Sequence, residues 1–267
     1  MGLIQAIKDK VMPKIDTDRW EDARLVAEDT KEELSPSGRY RLVIRYYDQG
    51  KGYWRYSRGT VYRVSDGVEV ADVKRNYSTF HHSIVTKDGD EYLISGRSYM
   101  GQTIANLDTG AEYNDKIWKA ARGYQGFEFC WAAHWLSPDG NTLVVNGCVW
   151  GGPYEFKFFD FSDPTTGWAA LESPSLDEGY GGHLDPEFHE DGTISVGVYA
   201  RIFKPLGRYE HELEASTDGD ELTDEQWDDD ELWEEVVCKR IVLRREDSQM
   251  VILSETENPS PATKEAS

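Results

Sequence analysis

Four histidines stand just upstream of tight turns: His82, His134, His183 and His189. His82 and His134 precede the turn aspartates Asp88 and Asp139, and His183 is followed by Asp185 and Glu187. Imidazoles that converge with carboxylates can bind a divalent metal or move a proton. His82, His134, His183 and Asp185 are therefore the candidate catalytic residues. They would suit a hydrolase, a lyase or a carbohydrate-binding site. No motif adds weight. There is no Gly-x-Ser-x-Gly elbow, Cys-x-x-Cys or His-Glu-x-x-His. The glycine-rich pieces Gly151-Gly152-Pro153 and Gly179-Tyr180-Gly181-Gly182 lack the Lys-Ser/Thr of a phosphate loop. No cofactor and no metal site is expected, and polar residues at such positions also serve simply to hydrogen-bond neighbouring strands.

A second group of residues suits recognition. No Lys or Arg lies between Arg208 and Lys239, and Glu210 to Glu235 holds fourteen carboxylates against a net charge of −21 for the chain. Asp218 to Asp224 lacks the ligand spacing of an EF-hand. Such a surface attracts a basic partner. Asp224, Asp228, Asp229, Asp230 and Glu231 are the candidate contact carboxylates, with Trp227 and Trp233 between them. Thr223 to Gln226 fits a capping box, so a helix is expected from Asp224 to about Glu235. Tyr53 and Trp54, on a glycine-flanked hairpin extension, are candidate aromatic anchors.

These groups must be positioned by a repeated scaffold. Ser37-Gly38, Asp88-Gly89, Asp139-Gly140 and Asp191-Gly192 are turn pairs whose glycines lie 51, 51 and 52 residues apart. An apolar, β-rich run follows each, which is a hairpin pattern. A second turn follows about twenty residues later, at Asn106–Gly110 and Asp160–Pro164, and is delayed to Ser65–Gly67 in the first repeat. In the fourth repeat it is displaced to Arg245–Ser248, so the acidic segment is an insertion. Each repeat then yields up to four strands, the last near Val68–Val73, Ala111–Tyr113, Trp168–Leu171 and Met250–Leu253. Arg24 to Glu28 are expected to complete the last sheet and hide its edge.

Four strands per repeat of this length describe a propeller blade. Leu136-Ser137-Pro138-Asp139-Gly140-Asn141-Thr142-Leu143 resembles the Ser-Pro-Asp-Gly turn of WD40-like propellers. Asn106-Leu107-Asp108-Thr109-Gly110 resembles the segment around their Trp-Asp dipeptide, with Leu107 in the Trp position. The expected fold is all-β: a small β-propeller of about four blades, with a short N-terminal helix and an acidic helical insertion in the last blade. Residues 1–24 form the helix and lead-in, 25–255 the propeller with its insertion at 209–236, and 256–267 a disordered tail. A β-sandwich and a partial propeller completed by a partner chain are the alternatives. The resemblance implies that first strands line a channel, where the histidines would meet.

The acidic balance argues against direct contact with nucleic acid, whose backbone repels carboxylates. No apolar run is long enough to span a membrane, and the N-terminus lacks a secretory pattern, so no membrane partner and a cytoplasmic location are expected. The three cysteines, Cys130, Cys148 and Cys238, show no disulfide framework and read as reduced core thiols. The leading functional expectation is a protein-interaction scaffold or adaptor for a basic protein. The alternative is the hydrolase, lyase or carbohydrate-binding propeller. An accessory protein of a virus or mobile element, its acidic arm blocking a basic groove, is indistinguishable from the first by residues alone.

Overall fold

The structure is a computed structural model and describes residues 17–96, 102–114, 129–148, 154–164, 167–174, 176, 185–214 and 222–258. Within these residues the chain is all-β and forms four antiparallel sheets, none of which closes on itself. The first sheet takes β1 (Lys31–Leu34), β2 (Tyr40–Tyr47), β3 (Tyr56–Arg63) and β4 (Glu69–Arg75). The second takes β5 (His82–Lys87), β6 (Asp90–Gly96), β7 (Gln102–Asn106) and β8 (Glu112–Asn114). The third takes β9 (Cys130–Leu136), β10 (Thr142–Cys148), β11 (Glu155–Asp160) and β12 (Ala169–Ala170). The fourth takes β13 (Glu187–Phe188), β14 (Thr193–Phe203), β15 (Arg208–Tyr209), β16 (Trp233–Glu246) and β17 (Gln249–Glu257). The first three follow chain order; in the fourth, β15 pairs only with β14, and the main order runs β13, β14, β16, β17.

The turn chemistry explains the pairings. Gly38, Gly89, Gly140 and Gly192 have φ of 73°, 90°, 72° and 80°, a region costly for any residue with a Cβ. Asp88 joins Gly89 at positive φ (53°), which matches a primed two-residue turn and fits the twist of β5 and β6. The first and third turns share one hydrogen-bond pattern. Gly38 N donates to Ser35 O and Gly140 N to Ser137 O, both at 2.8 Å. The serine hydroxyls then accept the amides of Tyr40 (3.2 Å) and Thr142 (2.9 Å).

The chain divides into two compact units, Met1–Lys119 and Ala120–Ser267. In the first, the opposed faces of sheets one and two enclose Leu42, Ile44, Val61, Val73, Phe80, Leu93 and Leu107. Leu107 is fully buried there. Gly59 on β3 has no substitute, since a Cβ would come within 2.1 Å of the Phe80 ring. In the second unit, sheets three and four enclose Val144, Phe156, Phe158, Ile194, Val196, Ile241 and Leu243. The β10 sequence is buried along its whole length, as expected for a strand covered on both faces. Sheets three and four are also stitched by backbone: Glu172 N donates to Ser248 O at 3.0 Å and Met250 N to Glu172 O at 2.6 Å.

Three expectations need correction. Arg24 to Glu28 do not complete the last sheet. Leu25 bridges Tyr47, Val26 N donates to Tyr46 O, and Asp48 N donates to Arg24 O, so the segment borders the first sheet. The insertion's second helix ends at Asp228, because Asp230–Leu232 tightens into a 3-10 turn and Trp233 begins β16. Strand β17 runs to Glu257, beyond the expected propeller boundary at 255, because it pairs with β16 as far as Lys239. The expected N-terminal helix and residues 259–267 lie outside the described residues. No helix among the described residues is long and apolar enough to cross a membrane.

Candidate functional site

The histidines lie in different settings, His82 in the first unit and His134 and His189 in the second. Both ring nitrogens of His82, on β5, face oxygen atoms: Nδ1 donates to Phe80 O at 2.9 Å, and Nε2 meets the Glu33 carboxylate at 2.5 Å. His134, on β9, is buried, with its ring 5.5 Å from that of Trp131. Asp185 is exposed just ahead of β13, and His183 lies outside the described residues. His189 holds Ser195 Oγ at 2.7 Å, but Ser195 is itself buried within β14. No three His, Cys, Asp or Glu side chains gather among the described residues in a way that could hold a metal. A groove of about 730 Å³ in the second unit runs past Asn141, His189, Asp191, Arg244 and Arg245. Its arginines are already engaged, Arg244 by Glu246 at 3.1 Å and Arg245 by Asp160 at 3.1 Å.

The buried charges instead join neighbouring sheets. In the first unit, Glu91 is completely buried and accepts the hydroxyls of Ser35 (2.9 Å) and Ser37 (2.5 Å) and the amide of Ser37 (3.0 Å). Asp108 accepts the Glu91 amide at 2.8 Å and the Tyr40 hydroxyl at 2.9 Å, and pairs with Arg39. Thus the first turn of sheet one is tied to the last turn of sheet two. The second unit repeats the join with the signs exchanged. Arg245, at the last turn of sheet four, donates to Asn141 O at 2.5 Å and pairs with Asp160, beside the first turn of sheet three. Ser137 was visible in the sequence as a turn residue; the pairings of Ser35 with Glu91 and of Arg245 with Asp160, between residues far apart along the chain, were not.

These contacts set an acid limit. Burial pushes the Asp108 carboxyl up, but the Glu91 amide, the Tyr40 hydroxyl and Arg39 outweigh it and hold the group below the usual range. Asp139 and Asp160 behave alike: burial raises each, and the hydroxyls of Ser137 and Ser162, local amides and Arg245 lower it. A carboxyl whose folded value lies below its unfolded value stabilises the fold above the unfolded value. That contribution is lost as pH falls through the folded value. Stability should therefore be flat near neutrality and fall below about pH 4. Urea titrations at stepped pH should show a shallower fall for Asp108→Asn than for the parent. An identical fall would remove Asp108 as a contributor.

The recognition group is better built. The acidic insertion leaves sheet four as an extension of β14 and β16, whose pairing continues to Phe203 opposite Trp233. Two short helices follow β15: α1 (Glu210–Glu214) and α2 (Asp224–Asp228). The expected capping box is present, with Thr223 Oγ1 accepting Gln226 N at 3.3 Å and Gln226 Oε1 accepting Thr223 N at 2.9 Å. Trp233 is only 6% exposed and packs with Phe203 and Leu213. Trp227 stacks on it at 5.1 Å and 24°. The Trp233 Nε1 donates to Gln226 O at 3.0 Å, and Arg201 lies 4.7 Å over its ring. Arg201 also meets Glu210 and Asp230, each at 3.3 Å. Trp233 is therefore an anchor of the insertion; its side chain is the partner of Phe203 across the ribbon. Asp228, Asp229, Asp230 and Glu231 are exposed on the outside of this small core. Asp224 begins α2.

Tyr53 and Trp54 occupy the tip between β2 and β3 and are 68% and 61% exposed. They are held, not loose: Trp54 Nε1 donates to Asn76 O at 2.8 Å and meets the Tyr77 ring edge-on, while Arg19 lies over Tyr53. Exposed rings fixed in this way lose little conformational freedom on binding.

The fold and these surfaces define an all-β chain of four antiparallel sheets with an anchored acidic arm. It belongs to the family of the uncharacterized protein R762 of Acanthamoeba polyphaga mimivirus, with 34% identity over 236 residues, 86% of this chain and 88% of that protein. No protein-family model matches. Among solved structures, a bifunctional GH43-CE protein of Bacteroides eggerthii is similar over 87% of this chain, with 12% identity and a TM-score of 0.37; the chain spans 26% of that protein's length. The uncharacterized protein lmo1340 of Listeria monocytogenes EGD-e is similar over 87% of this chain and 67% of its own, with 8% identity and a TM-score of 0.34. Likeness at these scores carries no argument about activity.

Proposed function

We propose that this chain is a protein-interaction module, a scaffold or adaptor that captures a partner with a basic surface through its acidic arm. The observation that carries the reading is the anchoring of the arm. A segment serving only solubility needs no private core, yet this one has Trp233, Trp227, Phe203 and Leu213 packed together beneath four adjacent exposed carboxylates. Fixed carboxylates steer a basic partner and fix its register more effectively than mobile ones. Tyr53 and Trp54 supply a second contact surface. The scaffold reading is a small WD40-like propeller of four blades. It is supported by the four antiparallel sheets, three of four strands and one of five, and by the repeated first-turn to last-turn join within each unit. A reducing, cytoplasmic setting suits three cysteines that are all thiols.

The test is capture from native extract by the full chain, beside a variant carrying Asp228→Asn, Asp229→Asn, Asp230→Asn and Glu231→Gln. The expected result is a stoichiometric basic partner whose affinity for the variant is at least about tenfold weaker, mainly through slower association, with the difference shrinking in high salt. Equal binding by the two proteins, or no stoichiometric partner, would sink the reading.

A further inference from the structure

We propose that Cys130 and Cys148 form a redox-modifiable pair that closes into a cross-strand disulfide by exchange with a small-molecule disulfide. The two residues stand directly opposite each other in the antiparallel register of β9 and β10. Residues so paired point to the same face, with Cα atoms about 4.5 or 5.5 Å apart depending on the hydrogen-bonding position, and Cβ atoms about 4.5–5.5 Å apart. A disulfide takes Cα separations of roughly 4.4–6.8 Å and Cβ separations of roughly 3.5–4.5 Å, so a small inward adjustment suffices. The local backbone already sits close. Gly147 faces the Cys130 carbonyl so tightly that a Cβ there would lie 2.0 Å from it. The ladder shifts register between Asn146 and Gly147, and that shift brings Cys148 opposite Cys130. Cys238 lacks this relation: it lies on β16, in another sheet, with its thiol directed at Val198 O at 3.4 Å.

The chemistry balances without any further reagent. One cysteine thiolate attacks the small disulfide, RSSR, and releases one RS⁻. The second cysteine thiolate then attacks the mixed disulfide and releases another RS⁻. The two protons lost by the cysteines end on the two RS⁻ groups, so two protein thiols are oxidised and one RSSR is reduced to two RSH. Both thiols are buried, 4% and 2% exposed, but each sits at a strand terminus, where opening costs least. Exchange should be slow, over minutes to hours. The bond would close the open end of the β9–β10 hairpin, opposite the Ser137–Gly140 turn.

The full chain, kept native, is incubated in glutathione buffers of increasing oxidised fraction, quenched with acid, unfolded and alkylated. The expected result is a fall from three alkylatable thiols to one, a 130–148 cross-linked peptide, and a dithiothreitol-reversible rise in the thermal midpoint. The Cys238→Ser protein should fall from two alkylatable thiols to none with the same midpoint rise, and the Cys130→Ser protein should show no midpoint change. Three thiols persisting under conditions that oxidise the unfolded chain would overturn the proposal. So would glutathione adducts without a cross-link, or a cross-link through Cys238.

Discussion

Replacing Trp233 with alanine is expected to release the acidic arm while leaving the four sheets in place. The side chain is buried against Phe203, stacked under Trp227 and bonded through Nε1 to Gln226 O. Truncating a buried tryptophan costs about 3–5 kcal/mol. The ion pairs at its side add little, because Arg201 is partly exposed and its two pairs are worth well under about 1 kcal/mol each. Limited proteolysis should therefore cut between residues 209 and 232 many times faster in the variant, with the far-ultraviolet spectrum still that of a β protein. Trp233→Phe keeps the stack and loses the indole donor, so its penalty should be nearer about 1 kcal/mol. Equal cleavage rates in parent and Trp233→Ala would show that the arm is held by other contacts, and would weaken the interaction reading with it.

Glu91→Ala should be the most damaging single change in the first unit. Glu91 is fully buried and takes two hydroxyl donors and one amide from the turn of sheet one. Removing it strands those donors away from water. The expected loss is about 3 kcal/mol of unfolding free energy, read as a lower urea midpoint. Arg39, the cation nearby, is a useful contrast. Its side chain is 43% exposed, so Arg39→Ala should lower the urea midpoint less than Glu91→Ala does, although it removes the more conspicuous ion pair. A larger loss for Arg39→Ala than for Glu91→Ala would reverse the assignment of which group joins the two sheets.

Much of the scaffold was legible because it is local. Turn glycines with positive φ, the hairpins around them and the displaced turn at Asp247 are properties of a few adjacent residues, and the structure has them where the spacing placed them. The capping box at Thr223 was legible for the same reason. The end of α2 was not. Helix-favouring carboxylates continue past Asp228, but Trp233 is drawn into strand pairing with Phe203, thirty positions earlier, and tertiary pairing overrides local preference. His82 shows the same limit on the site. Its place upstream of a turn suggested chemistry, whereas Glu33, on strand β1 of the first sheet, engages it. Leu25 was expected at the last sheet because an edge there needs cover; Tyr47, near in sequence, claims it.

The exchanged signs of the two turn networks have a consequence for assembly. Arg39 seeks a carboxylate on the next sheet, and Arg245 seeks the carboxylate and carbonyl of the sheet before it. The first turn of sheet one, set where that of sheet three meets the last turn of sheet four, would place Arg39 against Arg245. The first turn of sheet three, set where that of sheet one meets the last turn of sheet two, would place Asp139 against Asp108. Repeats with similar apolar faces can shuffle during folding or trade places between chains, and like charges at the join penalise both errors. The networks thus act as a lock-and-key code within each unit, distinguishing the proper partner of each join from strand sets that the hydrophobic pattern alone would treat as interchangeable.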